Sequence, residues 1–206
     1  MNLKQKLMLL ILIVGILPAL IIGLISIQNS RAALEKQIFD QLEAQRTIKA
    51  HQITQHFASA EHDIKTLADN LALMIEKQGL ETAISQVDRS GQTLFSRYIE
   101  RNDYYDLFLL DAEGYCFYSV TEEADYQTNL VSGQFKDSGL GEVVQKAILD
   151  SQYHMSDLAP YAPSNGDPAA FIAAPVMLQG ELVMILAMQL SMGGIDTIMS
   201  ERTGLG

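Results

Sequence analysis

The sequence predicts an α+β chain: an N-terminal transmembrane helix, a long stalk helix, and an antiparallel sheet with flanking helices. Three observations predict it. The 206 residues carry 14 Lys plus Arg against 25 Asp plus Glu, a net charge of −11, yet the mean hydropathy is +0.10, so apolar residues must be concentrated in one place. No Gly or Pro occurs between Ser30 and Gln78, where Ala, Leu, Gln, Glu and Lys dominate, a composition that favours helix. From Tyr105 onward the apolar period shortens into aromatic and β-branched runs bounded by turns.

The apolar concentration is at the start. Leu7 to Ile27 is 21 residues without a charge, seven of them Leu and seven Ile. At about 1.5 Å per residue such a helix spans roughly 30 Å, the thickness of a bilayer core. A secretory signal has a shorter apolar run and a small-residue cleavage site; here Gln28, Asn29, Ser30 and Arg31 lead straight into helical periodicity, so an uncleaved anchor is expected. Lys4, Lys6 and the α-amino group precede the span, whereas Arg31 and Lys36 follow it diluted by Glu35 and Asp40. That bias places residues 1–6 in the cytoplasm and the bulk outside the inner membrane. Without Lys4 and Lys6, 12 basic side chains face 25 acidic ones, a net charge of −13 for the exported part. Nucleic-acid binding needs cations that displace phosphate counterions, so nucleic acid is not an expected partner.

Residues 28–79 read as the stalk helix, about 70 Å long from Ser30 to Gln78. Ile53, Phe57, Ala60, Ile64, Leu67, Leu71 and Met74 alternate in fours and threes, a heptad seam that faces a partner, and a homodimer through this helix is expected. Leu34, Ile38 and Leu42 are spaced by four and leave that phase, which implies a different face or a stutter. Gly79 suits a helix C-terminus. Leu80, Ile84, Val87, Leu94, Tyr98 and Ile99 give one or two short helices, interrupted near Ser90 and Gly91.

Asp106 to Asp111 reads as a strand, Ala112 to Gly114 as its turn, and Tyr115 to Thr121 as the hairpin partner. A polar loop with Asp125, Tyr126, Gln127, Thr128 and Asn129 follows. Ser138 or Asp137 can cap a helix through Leu140, Val143, Val144, Ala147, Ile148 and Leu149. Leu158 to Pro168 is a loop. Ala169 to Leu178, a turn at Gln179 and Gly180, and Glu181 to Met192 form a second hairpin whose last strand is apolar enough to be central. Gly193 and Gly194 break it before a helix begins at Ile195, Ile198 and Met199.

Laid out in this order, the elements resemble the sensor region of bacterial Cache-domain (PAS-like) receptors, the group that includes many methyl-accepting chemotaxis proteins. YDLFLLDAEGYCFYSVTEEADYQTNL from Tyr105 to Leu130, KDSGL from Lys136 to Leu140 and SDLAPYAPSNGDPAAFIAAPV from Ser156 to Val176 resemble the membrane-distal module. ERTGLG, Glu201 to Gly206, is similar to the connector into a second, membrane-proximal module. The resemblance implies a sensor module over 80–192, a connector over 193–206, and extracytoplasmic sensing of a small molecule. It also implies a truncated receptor or a shortened reading frame, because such receptors continue through a second module, a second membrane helix and a signalling part.

For catalysis the residues offer little. His51, His56 and His62 lie five and six apart on the long helix and read as solvated surface, not as the i, i+4 pair of a zinc helix; His154 stands alone. No phosphate loop, dinucleotide fingerprint, nucleophile elbow or HExxH occurs, and no enzyme, cofactor or metal is expected. Asp106 and Asp111, an odd five apart, point to opposite sheet faces and are not a carboxylate pair. Cys116 is a buried structural thiol. Met177, Met184, Met188 and Met192 could suit Cu(I) but read as core, the last three on one face of a strand.

PAS-like sheets hold ligands between the sheet and the loops that cross it, and here the resemblance implies Tyr118, Asp157, Tyr161 and Phe171. A carboxylate at Asp157 could receive a ligand ammonium. Amino-acid-binding members carry a Trp in their pattern, and this chain has none, so an amino-acid ligand is not carried over. The same sensor type precedes histidine kinases and nucleotide cyclases, which is the alternative output. A pilin-like assembly subunit shares the helix-then-sheet order, but needs a Gly before the apolar run and an acidic residue within it; Lys6 stands before this run and no Glu occurs before Glu35.

Overall fold

The first helix, α1, runs unbroken from Leu3 to Gln78 and carries Pro18 within its apolar part. The computed structural model describes residues 3–88 and 94–201, and the chain divides into two units between His51 and Gln52. In the first unit none of the described residues is buried. An 18-residue window of α1 has a mean hydropathy of 3.1, long and apolar enough to cross a membrane. The N–H missing at Pro18 is tolerated in such helices by local adjustment of the backbone.

In the second unit α1 presents Ala60, Ile64, Leu67, Ala68, Leu71 and Ile75 as its buried face. The expected heptad seam is therefore buried from Ala60 to Leu71, with Ile53, Phe57 and Met74 only half-buried and Ile75 buried in place of Met74. What it packs on is this chain's own sheet: the same cluster holds Leu107, Leu109, Ile172, Ala174, Met184, Leu186 and Met188. Gly79 takes φ +81° and donates its N–H to the Ile75 carbonyl at 2.8 Å, the left-handed helix end that lacks a Cβ penalty in glycine. Two short helices follow, α2 (Leu80–Asp88) and α3 (Leu94–Asn102); the expected break at Ser90 and Gly91 lies outside the described residues.

The strands are β1 (Tyr104–Asp111), β2 (Cys116–Ser119), β3 (His154–Met155), β4 (Ala159–Pro160), β5 (Pro168–Ala169), β6 (Phe171–Leu178) and β7 (Glu181–Leu190). Five form one antiparallel sheet in the order β2-β1-β7-β6-β3, and β4 pairs with β5 apart from it. β7 is central and buried from Met184 to Leu190, because α1 and α3 cover one face and α4 (Gly139–Asp150) the other. Side chains alternate accordingly: Met184, Leu186 and Met188 face α1, while Ile185 and Ala187 join Phe108, Phe171, Leu140, Val143 and Val144 on the α4 side. The β6–β7 turn has positive φ at both Gln179 and Gly180, the geometry that matches strand twist in a two-residue hairpin.

Several expectations are corrected. The segment 158–168 contains strand β4 and the first residue of β5, held by the pairs Ala159 with Ala169 and Pro160 with Pro168; β3 was not anticipated, being only two residues long. Gly193 and Gly194 do not separate strand from helix. Ser191 caps α5 (Met192–Ser200), its hydroxyl accepting from the Gly193 N–H at 3.1 Å, so Met192 begins that helix and does not share a strand face with Met184 and Met188. His56 is not solvated helix surface: it is half-buried beside Gly194, where a Cβ would come within 2.9 Å of its ring. His51 and His62 are exposed as expected. The connector residues 202–206 lie outside the described residues.

A bulge between Tyr104 and Asp106 decides what the start of β1 does. Residues two apart in a strand share a face, but an extra residue re-aims the chain. Tyr104 packs on the α1 side and donates its hydroxyl to Asp63 Oδ2 at 2.6 Å. Asp106 is turned to the loop after β2.

Candidate functional site

Beyond β2 the chain folds back on itself. The Cys116 N–H donates to the Thr128 carbonyl, the Gln127 N–H to the Cys116 carbonyl, and Tyr115 bridges Asn129. Within the loop the Thr128 hydroxyl and N–H both donate to the Asp125 carbonyl. A second loop, between β4 and β5, closes through Tyr161 N–H to Asp167, Gly166 N–H to Tyr161 and Asp167 N–H to Ser164. Two loops pinned in this way set Asp125 and Tyr161 together, although 36 positions separate them.

Asp125 is fully buried. Its Oδ2 accepts the Tyr161 hydroxyl at 2.5 Å, and its Oδ1 has no hydrogen-bond partner. Burial raises its pKa to about 6; the Tyr161 hydrogen bond opposes the rise, and the Asp106 and Glu123 charges add to it. Burial beside this carboxylate also pushes the Tyr161 hydroxyl up, and lifts the Cys116 thiol to about 12. Cys116 is thus the inert buried thiol that its surroundings implied.

Around this pair lies a hydrogen-bonded chain. Gln189 of β7 donates from Nε2 to Ser164 Oγ at 3.2 Å, and Ser164 donates to Glu123 Oε2 at 2.8 Å. Tyr105 donates to the other Glu123 oxygen at 2.7 Å. Gln189 Oε1 is buried without a partner. Asp106 is opposite in character: its two oxygens accept from the Leu107, Val120 and Thr121 N–H groups and the Ser119 and Thr121 hydroxyls, at 2.6 to 3.2 Å. It is a carboxylate used to hold a loop, and burial still holds its pKa above the ordinary range.

Of the residues implied by the sequence, Tyr161 and Phe171 come together, their rings 4.6 Å apart edge to face, with Phe108 at 6.5 Å from Phe171. Tyr118 is half-buried with its ring 5.9 Å from Phe95 of α3, and so lies with the cluster on the α1 side. Asp157 is exposed between β3 and β4. Asp111 serves its own turn, accepting from the Glu113 and Tyr115 N–H groups. The residues not anticipated are Asp125, Glu123, Ser164, Gln189 and Tyr105. A buried Gln on an otherwise apolar central strand was the one available signal. Among the described residues no group of three His, Cys, Asp or Glu side chains is placed to hold a metal ion.

No protein-family model matches the chain, and no curated protein matches it. Solved structures do. The sensor domain of the V. cholerae histidine kinase DctB is similar over 82% of this chain and 61% of its own, at 14% identity and a TM-score of 0.57. The ligand-binding domain of the Pseudomonas aeruginosa amino-acid chemoreceptor PctC, in complex with GABA, is similar over 74% of this chain and 63% of its own, at 18% identity and a TM-score of 0.54. That of the Pseudomonas fluorescens chemoreceptor CtaA, in complex with L-serine, covers 77% and 61%, at 17% and 0.54. The chain spans about three fifths of each of these structures. The likeness is one of fold: this chain shares the α+β fold of these domains, a long helix followed by an antiparallel sheet with flanking helices.

Proposed function

We propose that this chain is the extracytoplasmic small-molecule-sensing region of a transmembrane receptor of the chemotaxis type. The observation that carries the reading is the cluster beneath the two loops: in a fold used by sensor domains, a fully buried carboxylate and a buried amide each keep an acceptor unpaired. Buried polar groups without partners are rare, and a ligand that completes them gains what they have already lost in desolvation. Tyr161 donates to Asp125 and packs edge to face on Phe171, and Gln189 bonds Ser164 of the same loop as Tyr161.

In this reading residues 7–27 span the inner membrane, 1–6 remain in the cytoplasm, 28–79 form the stalk, 80–192 the sensor module and 193–206 the connector. Leu34, Ile38 and Leu42 are exposed on α1, and a homodimer would cover them. A histidine kinase is the second reading of the output, favoured by the similarity to the DctB sensor domain.

The test is thermal unfolding of the 206-residue chain in detergent against amino acids, organic acids, amines and purines. A ligand at a hundred times its Kd stabilises by about 2.7 kcal/mol, which in a domain of this size raises Tm by about 5–10 °C. One chemical class should do this and the others should not. A panel without any stabilising member counts against sensing.

A further inference from the structure

We propose that His56 is an acid-sensitive latch for α5: the neutral ring seats this helix on α1, and the protonated ring releases it. The proposal goes beyond the sensing reading and depends on no ligand. It starts from how little else holds α5. The helix is nine residues long and none of them is buried. Met192, Gly194, Ile195 and Ile198 are half-buried, while Asp196, Thr197 and Met199 are exposed. The close approach is at Gly194, where a Cβ would stand 2.9 Å from His56 Cε1 and 3.5 Å from each ring nitrogen. Only the missing Cβ lets the backbone come down on the ring. His56 Nε2 is buried there without a hydrogen-bond partner.

The direction of the response follows from what surrounds the ring. A neutral imidazole has one donor and one acceptor nitrogen, whereas the cation has two donors. Protonation therefore leaves a charged N–H at Nε2 with nothing to accept it, and an unpaired buried charge is costly. Ser191 caps α5, so Gly194 lies in the first turn, where free N–H groups carry the positive end of the helix dipole. That end repels an imidazolium as well. Charged groups reach this place from three elements. Asp103, in the turn between α3 and β1, has its Oδ2 3.8 Å from the Cβ position of Gly193. Asp196 is on α5, and on α1 itself Lys49 and Asp63 stand seven residues before and after His56, Asp63 already accepting from Tyr104. Among the described residues no ion pair joins His56 to any of the carboxylates. The added charge is thus unpaired while α5 is seated, and gains water when α5 moves away. Imidazole changes its charge between about pH 5 and 8, so external acidity would act on the stretch read above as the connector.

The chain has no Trp, so Ile198→Trp, on the half-buried side of α5 and four residues after Gly194, gives a single fluorescent reporter in the full chain in detergent. Its emission and its quenching by acrylamide are followed from pH 7.5 to pH 5.5. The expected result is a red shift and stronger quenching as pH falls, with the released-to-seated ratio rising about fivefold. His56→Phe keeps a ring that takes no proton and should abolish the transition. His56→Gln, a second neutral replacement, decides the same point if the Phe variant does not fold. Asp125 is held near pH 6 by burial and titrates in the same range, so Asp125→Asn is the control, in which the transition should persist. A reporter that does not respond to pH overturns the latch. So does a transition that survives in a folded His56 variant, or one that vanishes in Asp125→Asn. None of these outcomes bears on the ligand panel, so the sensing reading stands or falls separately.

Discussion

Asp125 sits in a position that makes its protonation a property of the whole fold. Its folded pKa of about 6 lies above the ordinary carboxylate value, chiefly because burial penalises the anion. Between those two values the folded chain holds a proton that the unfolded chain has released. The group's contribution is therefore fully present below about pH 4 and is lost as pH rises through 6, a loss of about 3 kcal/mol by pH 8. Asp125→Asn keeps the site neutral at every pH. Its Tm should match that of the parent near pH 4 and exceed it by several degrees at pH 8, with no ligand present; parallel Tm profiles would show that Asp125 is not the titrating group. The same residue marks where sequence reading stopped. A loop carboxylate beside Tyr126 and Gln127 reads as solvated, and only the return of the chain at Tyr161, 36 residues later, buries it. Tyr161 and Phe171, which the resemblance implied, do meet edge to face, whereas Tyr118 and Asp157 do not join them. Gln189 was hidden by its apolar neighbours.

At the level of elements, the long helix was legible in its composition but not in its partner. A seam spaced by fours and threes looks the same whether it meets a second helix or a sheet, and here the sheet takes Ala60, Ile64, Leu67 and Leu71. Truncating Ile64, which is fully buried, should cost about 2–5 kcal/mol, as large-to-small changes in a packed core do. Leu42→Ala, on an exposed part of the same helix, should leave the unfolding of the sensor module unchanged, and a comparable loss at both positions would mean that the seam does not separate core from surface. The start of α4 gives a finer measure. Ser138 accepts from the Gly141 N–H at 3.1 Å, and removing a cap of this kind costs about 1 kcal/mol. Ser138→Ala should lower the unfolding free energy by that amount, read as a lower urea midpoint at an unaltered m-value. The cap was legible because Ser followed by an apolar helical run is a local signal. β3 was not, since two residues gain strand character only from pairing with Ala173 and Ile172 of β6.

For the whole molecule, the charge imbalance becomes a statement about sides of a membrane. The segment Leu7 to Ile27 is exposed at every residue but Gly23, and water is a poor solvent for that surface: at about 25 cal/mol per Å² an exposed apolar helix of this size is strongly unfavourable outside lipid. Its orientation rests on few charges, Lys4 and Lys6 before it against Arg31 and Lys36 offset by Glu35 and Asp40. Acidic residues contribute little to this rule, so the balance is set by two cations and the α-amino group on one side against two cations on the other. In the proposed reading the acidic module is then carried outward. Fusion of alkaline phosphatase after Gly206, an enzyme active only outside the cytoplasm, should give an active product that stays in the membrane on alkaline extraction. Because the bias is small, Lys4→Glu with Lys6→Glu should shift a measurable fraction of chains to the opposite topology and lower the phosphatase signal severalfold at equal expression. An inactive parental fusion would put the module in the cytoplasm and remove the premise of extracytoplasmic sensing; an unchanged signal in the double variant would mean that the orientation is set by the folded module and not by the flanking charges.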